Sequence, residues 1–159
     1  MISAIKNMRY YKVKKNSIGS DIDRNARKSL KEARLDYPHG TGHGVGYFSN
    51  VHEGPQAISR GNKVKFKEGM ITSNEPGYYK KNHFGIRIEN LVYVKKTKNK
   101  LKFEDLTLVP IDKKLIQEKL LTVAEKNWIN KYHQRVFVCL KKFMNRFELT
   151  QLKQSCSNI

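Results

Sequence analysis

The stretch Gly85-Ile86-Arg87-Ile88-Glu89-Asn90-Leu91-Val92-Tyr93-Val94 alternates apolar and polar side chains in its first half and turns almost wholly apolar in its second. Successive side chains of a strand point to opposite faces, so this spacing predicts a strand with Ile86 and Ile88 on a buried face. Arg87 and Glu89 then emerge together on the opposite face, and a polar face built so regularly calls for a chemical reason. A turn through Lys98 to Lys100 leads to Leu101-Lys-Phe-Glu-Asp-Leu-Thr-Leu-Val109, which reads as the hairpin partner and ends at Pro110. Upstream, Val64 with Phe66, and Met70 with Ile71 after Gly69, read as further strands.

Working outward, the run His39-Gly-Thr-Gly-His43-Gly-Val-Gly46 places four glycines in eight residues. That composition excludes a stable helix although the histidines are four apart, and it requires a backbone that turns tightly or is approached closely. Before it, Ile22, Ala26, Leu30 and Ala33 recur at helical spacing. A helix is expected from about Asp21 to Arg34, with Ser20 and Asp23 as its capping pair. After Pro110, Thr122 and Glu125 form a capping box for a helix with Trp128, Ile129, Tyr132, Val136, Leu140 and Phe143 on one stripe. Residues 1–16 show no clean period and read as a divergent N-terminal stretch. The expected organisation is α+β: this stretch, a sheet-bearing part over 17–110, and a helical extension over 111–159.

With 159 residues the chain is long enough for a sizeable core, and 38% hydrophobic content argues against disorder. Thirty-two Lys and Arg against 14 Asp and Glu give a net charge of +18, which points to polyanions as partners. The lysines fall in many short clusters, and Lys outnumbers the Arg forks that read bases, so sequence-specific nucleic-acid binding is not indicated while weak, salt-sensitive polyanion binding is. No apolar run is long enough to span a bilayer, and Lys6, Arg9, Lys12, Lys14 and Lys15 interrupt the start before a leader-like segment can form, so a cytoplasmic location without membrane contact is expected. Cys139 and Cys156 have no metal-ligand spacing.

The residues able to carry chemistry are His39, His43, His52, Glu75, Arg87 and Glu89, all between the glycine-rich run and the second strand block. Imidazole with carboxylate suits a divalent transition ion such as manganese, cobalt or zinc. Spacing alone leaves this beside a plainer reading, in which the histidines are hydrogen-bonded structural residues and Arg87 with Glu89 is a surface ion pair. Other motifs fail. His52-Glu53 is followed by Gly54-Pro55-Gln56 and cannot be a zinc-binding helix, the glycines do not make a phosphate loop, and no Gly-x-Ser-x-Gly elbow occurs.

Four strings in order, His-Gly-Thr-Gly-His-Gly-Val-Gly, Asn-Val-His-Glu-Gly-Pro, Gly-Met-Ile-Thr-Ser-Asn-Glu-Pro-Gly-Tyr-Tyr and Phe-Gly-Ile-Arg-Ile-Glu-Asn, resemble the catalytic half of the Xaa-Pro aminopeptidases, which belong to the pita-bread metallopeptidases. Upstream, Gly-Ser-Asp-Ile-Asp-Arg-Asn-Ala-Arg is similar to the helix before the first string. Downstream, Leu-Thr-Leu-Val-Pro-Ile-Asp and Glu-Lys-Asn-Trp-Ile-Asn-Lys-Tyr-His are similar to the C-terminal extension of the cytosolic-type branch. The resemblance implies a curved antiparallel sheet with flanking helices, forming part of a pita-bread fold. It implies His43, Glu75 and Glu89 as metal ligands, with Glu75 also handling the proton of the attacking water and Glu89 bridging two ions. His39 and His52 would hold the substrate and the developing oxyanion, and Arg87 would orient the carboxylates. The implied reaction is hydrolysis of the peptide bond before a proline in second position, with manganese as first choice and zinc or cobalt as alternatives.

The family pattern has two further ligands, aspartates on a hairpin upstream of the first string, and this sequence does not contain that hairpin or the family's N-terminal domain. Asp21 and Asp23 match the helix start instead and read as first-turn acids. The expectation is a truncated chain with at most one weakly held ion and impaired activity, which a companion fragment carrying the aspartates could complement. A second reading is a non-catalytic module of this fold that binds protein or RNA, favoured by the charge and opposed by the intact His43, Glu75 and Glu89; a third is a gene remnant without function.

Overall fold

The computed structural model describes residues 1–48, 50–98 and 100–159. Two compact units divide them, Met1–Thr107 and Leu108–Ile159.

The first unit begins with helix α1 (Ile2–Arg9), although no period is legible there in the sequence. Ile2, Ile5 and Met8 repeat every third residue and are buried with Ala4, so a single turn-wide stripe carries the whole contact. Asn74 donates to the carbonyl of Ile5 at 3.0 Å, and Asn25 to that of Asn7 at 2.8 Å, which fixes α1 to the sheet and to α2.

Helix α2 (Gly19–Glu32) buries Ile22, Ala26 and Leu30, as the spacing predicts, but starts two residues earlier than expected and without a side-chain cap. Ser20 is not the cap. Ile18 bridges Lys65, and the Ser20 amide donates to the carbonyl of Asn62 at 3.0 Å, so neighbouring backbone satisfies the first-turn donors that a Ser or Asp side chain would otherwise serve. At the other end Arg34 takes a positive φ and the Leu35 amide returns to the carbonyl of Leu30.

Among the described residues three antiparallel sheets follow. Strands β1 (Gly42–His43) and β2 (Ala57–Ile58) form one pair, and β4 (Gly77–Lys80) with β5 (Phe84–Arg87) forms another. The third has the order β3 (Ile71–Asn74), β6 (Asn90–Thr97), β7 (Lys100–Asp105). The run over 85–94 is therefore two strands rather than one. Arg87 pairs with Gly77, Asn90 pairs with Asn74, and between them the Ile88 amide donates to the carbonyl of Pro76, so Ile88 and Glu89 cross from one sheet to the other. Among the described residues Val64 and Phe66 lie in no strand; Lys65 bridges Ile18, and the Phe66 amide donates to the carbonyl of Ser17 at 3.2 Å. The hairpin of β6 and β7 is present, with Val94 opposite Phe103. Its predicted turn includes Asn99, which lies outside the described residues. Val92, Val94 and Phe103 are fully buried on the core face, and Phe66 meets Phe103 edge to face at 5.7 Å.

In the second unit, helix α3 (Val123–Leu140) starts at the capping box of Thr122 and Glu125. Trp128, Ile129, Tyr132 and Val136 are buried along its stripe. Phe143 leaves that stripe, 70% exposed, because the helix ends at Leu140 and tightens into a 3-10 turn. Helix α4 (Arg146–Ser155) opens on a second capping box, Asn145 with Glu148, and sets Leu152 against Tyr132 and Val136. Among the described residues no helix is long and apolar enough to cross a membrane.

Candidate metal centre

The glycine-rich run becomes a strand edge pressed against β3. A Cβ on Gly42 would lie 1.9 Å from the carbonyl oxygen of Ser73, a contact that only glycine permits. At this distance the Ser73 hydroxyl accepts from the amide of His43 at 2.9 Å and donates to Glu75 Oε1 at 2.8 Å. The Glu75 amide donates to the carbonyl of Thr41 at 2.7 Å. Two strands that are 30 residues apart in sequence thus hold His43 and Glu75 in fixed register.

His43 Nδ1 lies 2.9 Å from the carbonyl of Gly44, which can only accept, so Nδ1 carries the proton. In the neutral ring, Nε2 then presents a lone pair toward Glu75 Oε1 at 3.4 Å. Two acceptors facing each other at that distance are reconciled by a second proton on the imidazole or by a metal cation between them. Glu89, where the chain crosses between sheets, supplies the third donor: the ligand atoms of His43, Glu75 and Glu89 all lie within 4.8 Å of one another. Tetrahedral donors about 2.1 Å from one ion lie about 3.4 Å apart, so His43 and Glu75 already stand at that spacing and side-chain movement of the exposed Glu89 would close the set on one ion. One imidazole and two carboxylates fit a divalent transition ion, and among the described residues no other group of three such side chains occurs.

Arg87 NH1 donates to Glu75 Oε2 at 2.8 Å and leaves Oε1 for the centre. Its Nε donates to the Tyr79 hydroxyl at 2.9 Å, and Tyr79 in turn lies 2.7 Å from His39 Nε2. His39 Nδ1 faces the carbonyl of Gly40 at 2.7 Å, so Nε2 is the acceptor and the chain of donors runs from Arg87 through Tyr79 to His39. The bond to Tyr79, opposed by partial burial and helped by the charges of Glu75 and Glu89, holds the pKa of Arg87 above its ordinary value. His52, exposed, lies with its ring 4.0 Å from that of His43. The structure thus gathers His43, Glu75, Glu89, Arg87 and His52, and reaches His39 through Tyr79. Sequence reasoning missed Tyr79 and Ser73, although both stand in the quoted string around Glu75; their contacts exist only once β3, β4 and β5 are paired.

Asp23, expected as a first-turn acid, falls beyond the first turn because α2 starts at Gly19, and it is buried. It is 2% exposed, accepts from Arg27 Nε at 2.9 Å and accepts from the Thr41 hydroxyl at 2.6 Å. Arg27 also donates to Asp36 at 2.6 Å, to the carbonyl of Tyr37 at 2.8 Å and to the carbonyl of His39, and stacks 3.8 Å from the Tyr37 ring. Burial works against its charge, but the bonds to Asp23 and Asp36 outweigh this and raise its pKa. Burial also pushes the Tyr37 hydroxyl up to about 12. This network sets the path of the backbone into His39 and uses Asp23 fully. Asp21 pairs instead with Arg24 at 3.2 Å on the surface.

The model of metallopeptidase family M24 matches residues 3–96, and that of the C-terminal region of peptidase M24 matches residues 99–159. The chain belongs to metallopeptidase family M24, and its fold is the C-terminal part of the pita-bread architecture. Within that family it is similar to the Xaa-Pro aminopeptidases. A probable Xaa-Pro aminopeptidase P of Coprinopsis cinerea is 53% identical over 127 residues, 73% of this chain and 20% of that protein. The putative Xaa-Pro aminopeptidase FRA1 of Saccharomyces cerevisiae is 49% identical over 135 residues, 81% of this chain and 18% of that protein. The X-prolyl aminopeptidase of Caenorhabditis elegans, described as a cytosolic enzyme with a di-nuclear active site, superposes with a TM-score of 0.89 at 37% identity, covering 99% of this chain and 28% of that one. The chain spans about a fifth of the length of the curated relatives it matches.

Proposed function

We propose that the chain carries the C-terminal part of the catalytic half of a cytoplasmic Xaa-Pro aminopeptidase, acting on peptides with proline in second position. His43, Glu75 and Glu89 would hold a divalent ion, manganese by preference. A bound ion of this kind polarises the scissile carbonyl and makes hydroxide available near neutral pH. Around it, Arg87 fixes Glu75 by one carboxylate oxygen, which leaves the other able to take a proton from water and pass it to the proline nitrogen. His52, whose ring lies against that of His43, would stabilise the developing oxyanion. His39, held by Tyr79, would receive the substrate backbone. The observation that supports this reading best is the opposition of the His43 lone pair and the Glu75 carboxylate, with Glu89 beside them.

The two aspartates that the family resemblance implies as further ligands are not among residues 1–159. By itself the chain is therefore expected to hold at most one ion, weakly, and to hydrolyse slowly. Hydrolysis of an Xaa-Pro peptide in manganese buffer should be weak for the chain alone and should rise on co-expression with a fragment carrying the aspartate hairpin. A full enzymatic rate from the chain alone, or no gain from the companion, would overturn this.

A further inference from the structure

The lysines that look scattered in sequence converge in the fold. Lys95 stands directly opposite Lys102 in the β6–β7 register, and Thr97 opposite Lys100. On the far side of β7, Val13 bridges Leu101 in antiparallel sense. In the register of that bridge Lys12 falls beside Lys102, and Lys14 beside Lys100. Val13, Val94 and Phe103 are buried on the core face and Leu101 packs against them, so Lys12, Lys14, Lys95, Lys100 and Lys102 share the outer face, and all five are exposed. Neighbouring strands are about 4.8 Å apart and alternate residues about 7 Å apart, so five ammonium groups stand within a few strand spacings of one another.

Like charges set directly across a ladder destabilise it; Lys102 is offset by Glu104, whereas among the described residues Lys12, Lys14, Lys95 and Lys100 meet no carboxylate at ion-pair distance. Glu104 is already held between Arg9 and Lys102, at 2.9 and 2.8 Å. Glu68 accepts from the Lys96 amide at 3.3 Å. Such a surface is complementary to a chain of closely spaced anions.

Beside the lysine face a depression of about 430 Å³ is lined by Lys6, Tyr10, Tyr11, Lys12 and Lys14, so it shares two of the five lysines. The Tyr10 ring is 59% exposed and carries the Arg9 guanidinium 5.8 Å from its centre. Exposed aromatic faces next to a lysine track suit unstacked bases beside their phosphates. Lysine point charges without arginine forks suit a backbone bound without regard to sequence.

We propose that this face of the β3–β6–β7 sheet, with the Tyr10 depression, binds single-stranded RNA through its phosphate backbone, independently of the metal centre. A fluorescent oligouridylate of about 20 nucleotides is the probe, followed by anisotropy with the whole chain. Five phosphate contacts imply a slope of about −3.5 in log affinity against log salt, a loss of about a hundredfold between about 50 and about 200 mM. Replacing Lys12, Lys14, Lys95, Lys100 and Lys102 by Gln should flatten that slope by about 3.5. The same five changed to Arg should keep it, and an equal number of Gln replacements at Lys114, Lys119, Lys131, Lys141 and Lys153 should leave it nearly unchanged. Lysine acylation footprinting of the unaltered chain should show protection by RNA at Lys12, Lys95 and Lys102 and none at Lys141. Equal losses in both Gln sets, no protection at Lys95 and Lys102, or tighter binding to phosphatidylserine vesicles than to the oligonucleotide would overturn the proposal.

Discussion

Replacing Arg27 by Met should be among the most damaging single changes in the first unit. Arg27 is 2% exposed and holds Asp23, itself 2% exposed, at 2.9 Å. Methionine fills much of the same volume but leaves the Asp23 carboxylate buried with only the Thr41 hydroxyl at 2.6 Å. Breaking a buried ion pair from one side costs about 3–5 kcal/mol. The carbonyls of Tyr37 and His39 also lose their donor, and the stacking on Tyr37 at 3.8 Å goes with it. These losses overlap, so about 4 kcal/mol is the working figure. For a unit of this size that corresponds to a fall in melting temperature of roughly 15–30 °C. Urea unfolding followed by far-ultraviolet circular dichroism measures it. The combined change Asp23→Leu with Arg27→Met removes both charges and should be about 1–2 kcal/mol less harmful than the sum of the two single changes. An Arg27→Met cost under about 1 kcal/mol, or strict additivity in the double variant, would refute the argument that the pair is mutually dependent.

Gly42→Ala should separate β1 from β3, because the new Cβ meets backbone at 1.9 Å and not a side chain that could move. A loss of about 1–3 kcal/mol or more, with faster amide exchange at His43, is expected. In the second unit His133 is fully buried, and its Nε2 accepts from the Ile111 amide at 3.0 Å. Burial, with the charge of Lys113 adding to it, lowers its pKa below 6.5. The unfolded chain therefore binds this proton first. The stability His133 contributes is complete above about pH 6.5 and is lost as pH falls through that value toward the lower folded pKa. Melts at about pH 7.5 and about pH 5 should show that decline, and a His133→Leu variant should lack that component of it.

Much of the fold was legible because it rests on local periodicity. The stripe of α2, the box at Thr122 and the hairpin of β6 and β7 each follow from spacing that neighbours in the chain can satisfy. The reading failed where a distant segment took over a local role. Ser20 yields to the carbonyl of Asn62, and the run over 85–94 splits because Arg87 answers to Gly77 while Asn90 answers to Asn74. Helix α1 carries only a short stripe, too short to stand out as a period. At the site, the histidines, Glu75, Arg87 and Glu89 were nameable from their strings, whereas the roles of Ser73 and Tyr79 depend on contacts that reach across 30 residues to His43 and 40 residues to His39, and that of Arg27 on a loop that folds back on it over 9 to 12 residues, at Asp36, Tyr37 and His39. No spacing rule announces such contacts before the strands are paired.

The proposed activity depends on His43, Glu75 and Glu89 forming a single cation site. Equilibrium dialysis of the whole chain against manganese, with elemental analysis of the retained metal, tests it most directly. The prediction is no more than one ion per chain, loosely held, and lost in Glu89→Gln, whose exposed position should leave the fold intact. Two tightly retained ions, or retention unchanged in both Glu89→Gln and His43→Ala, would contradict it.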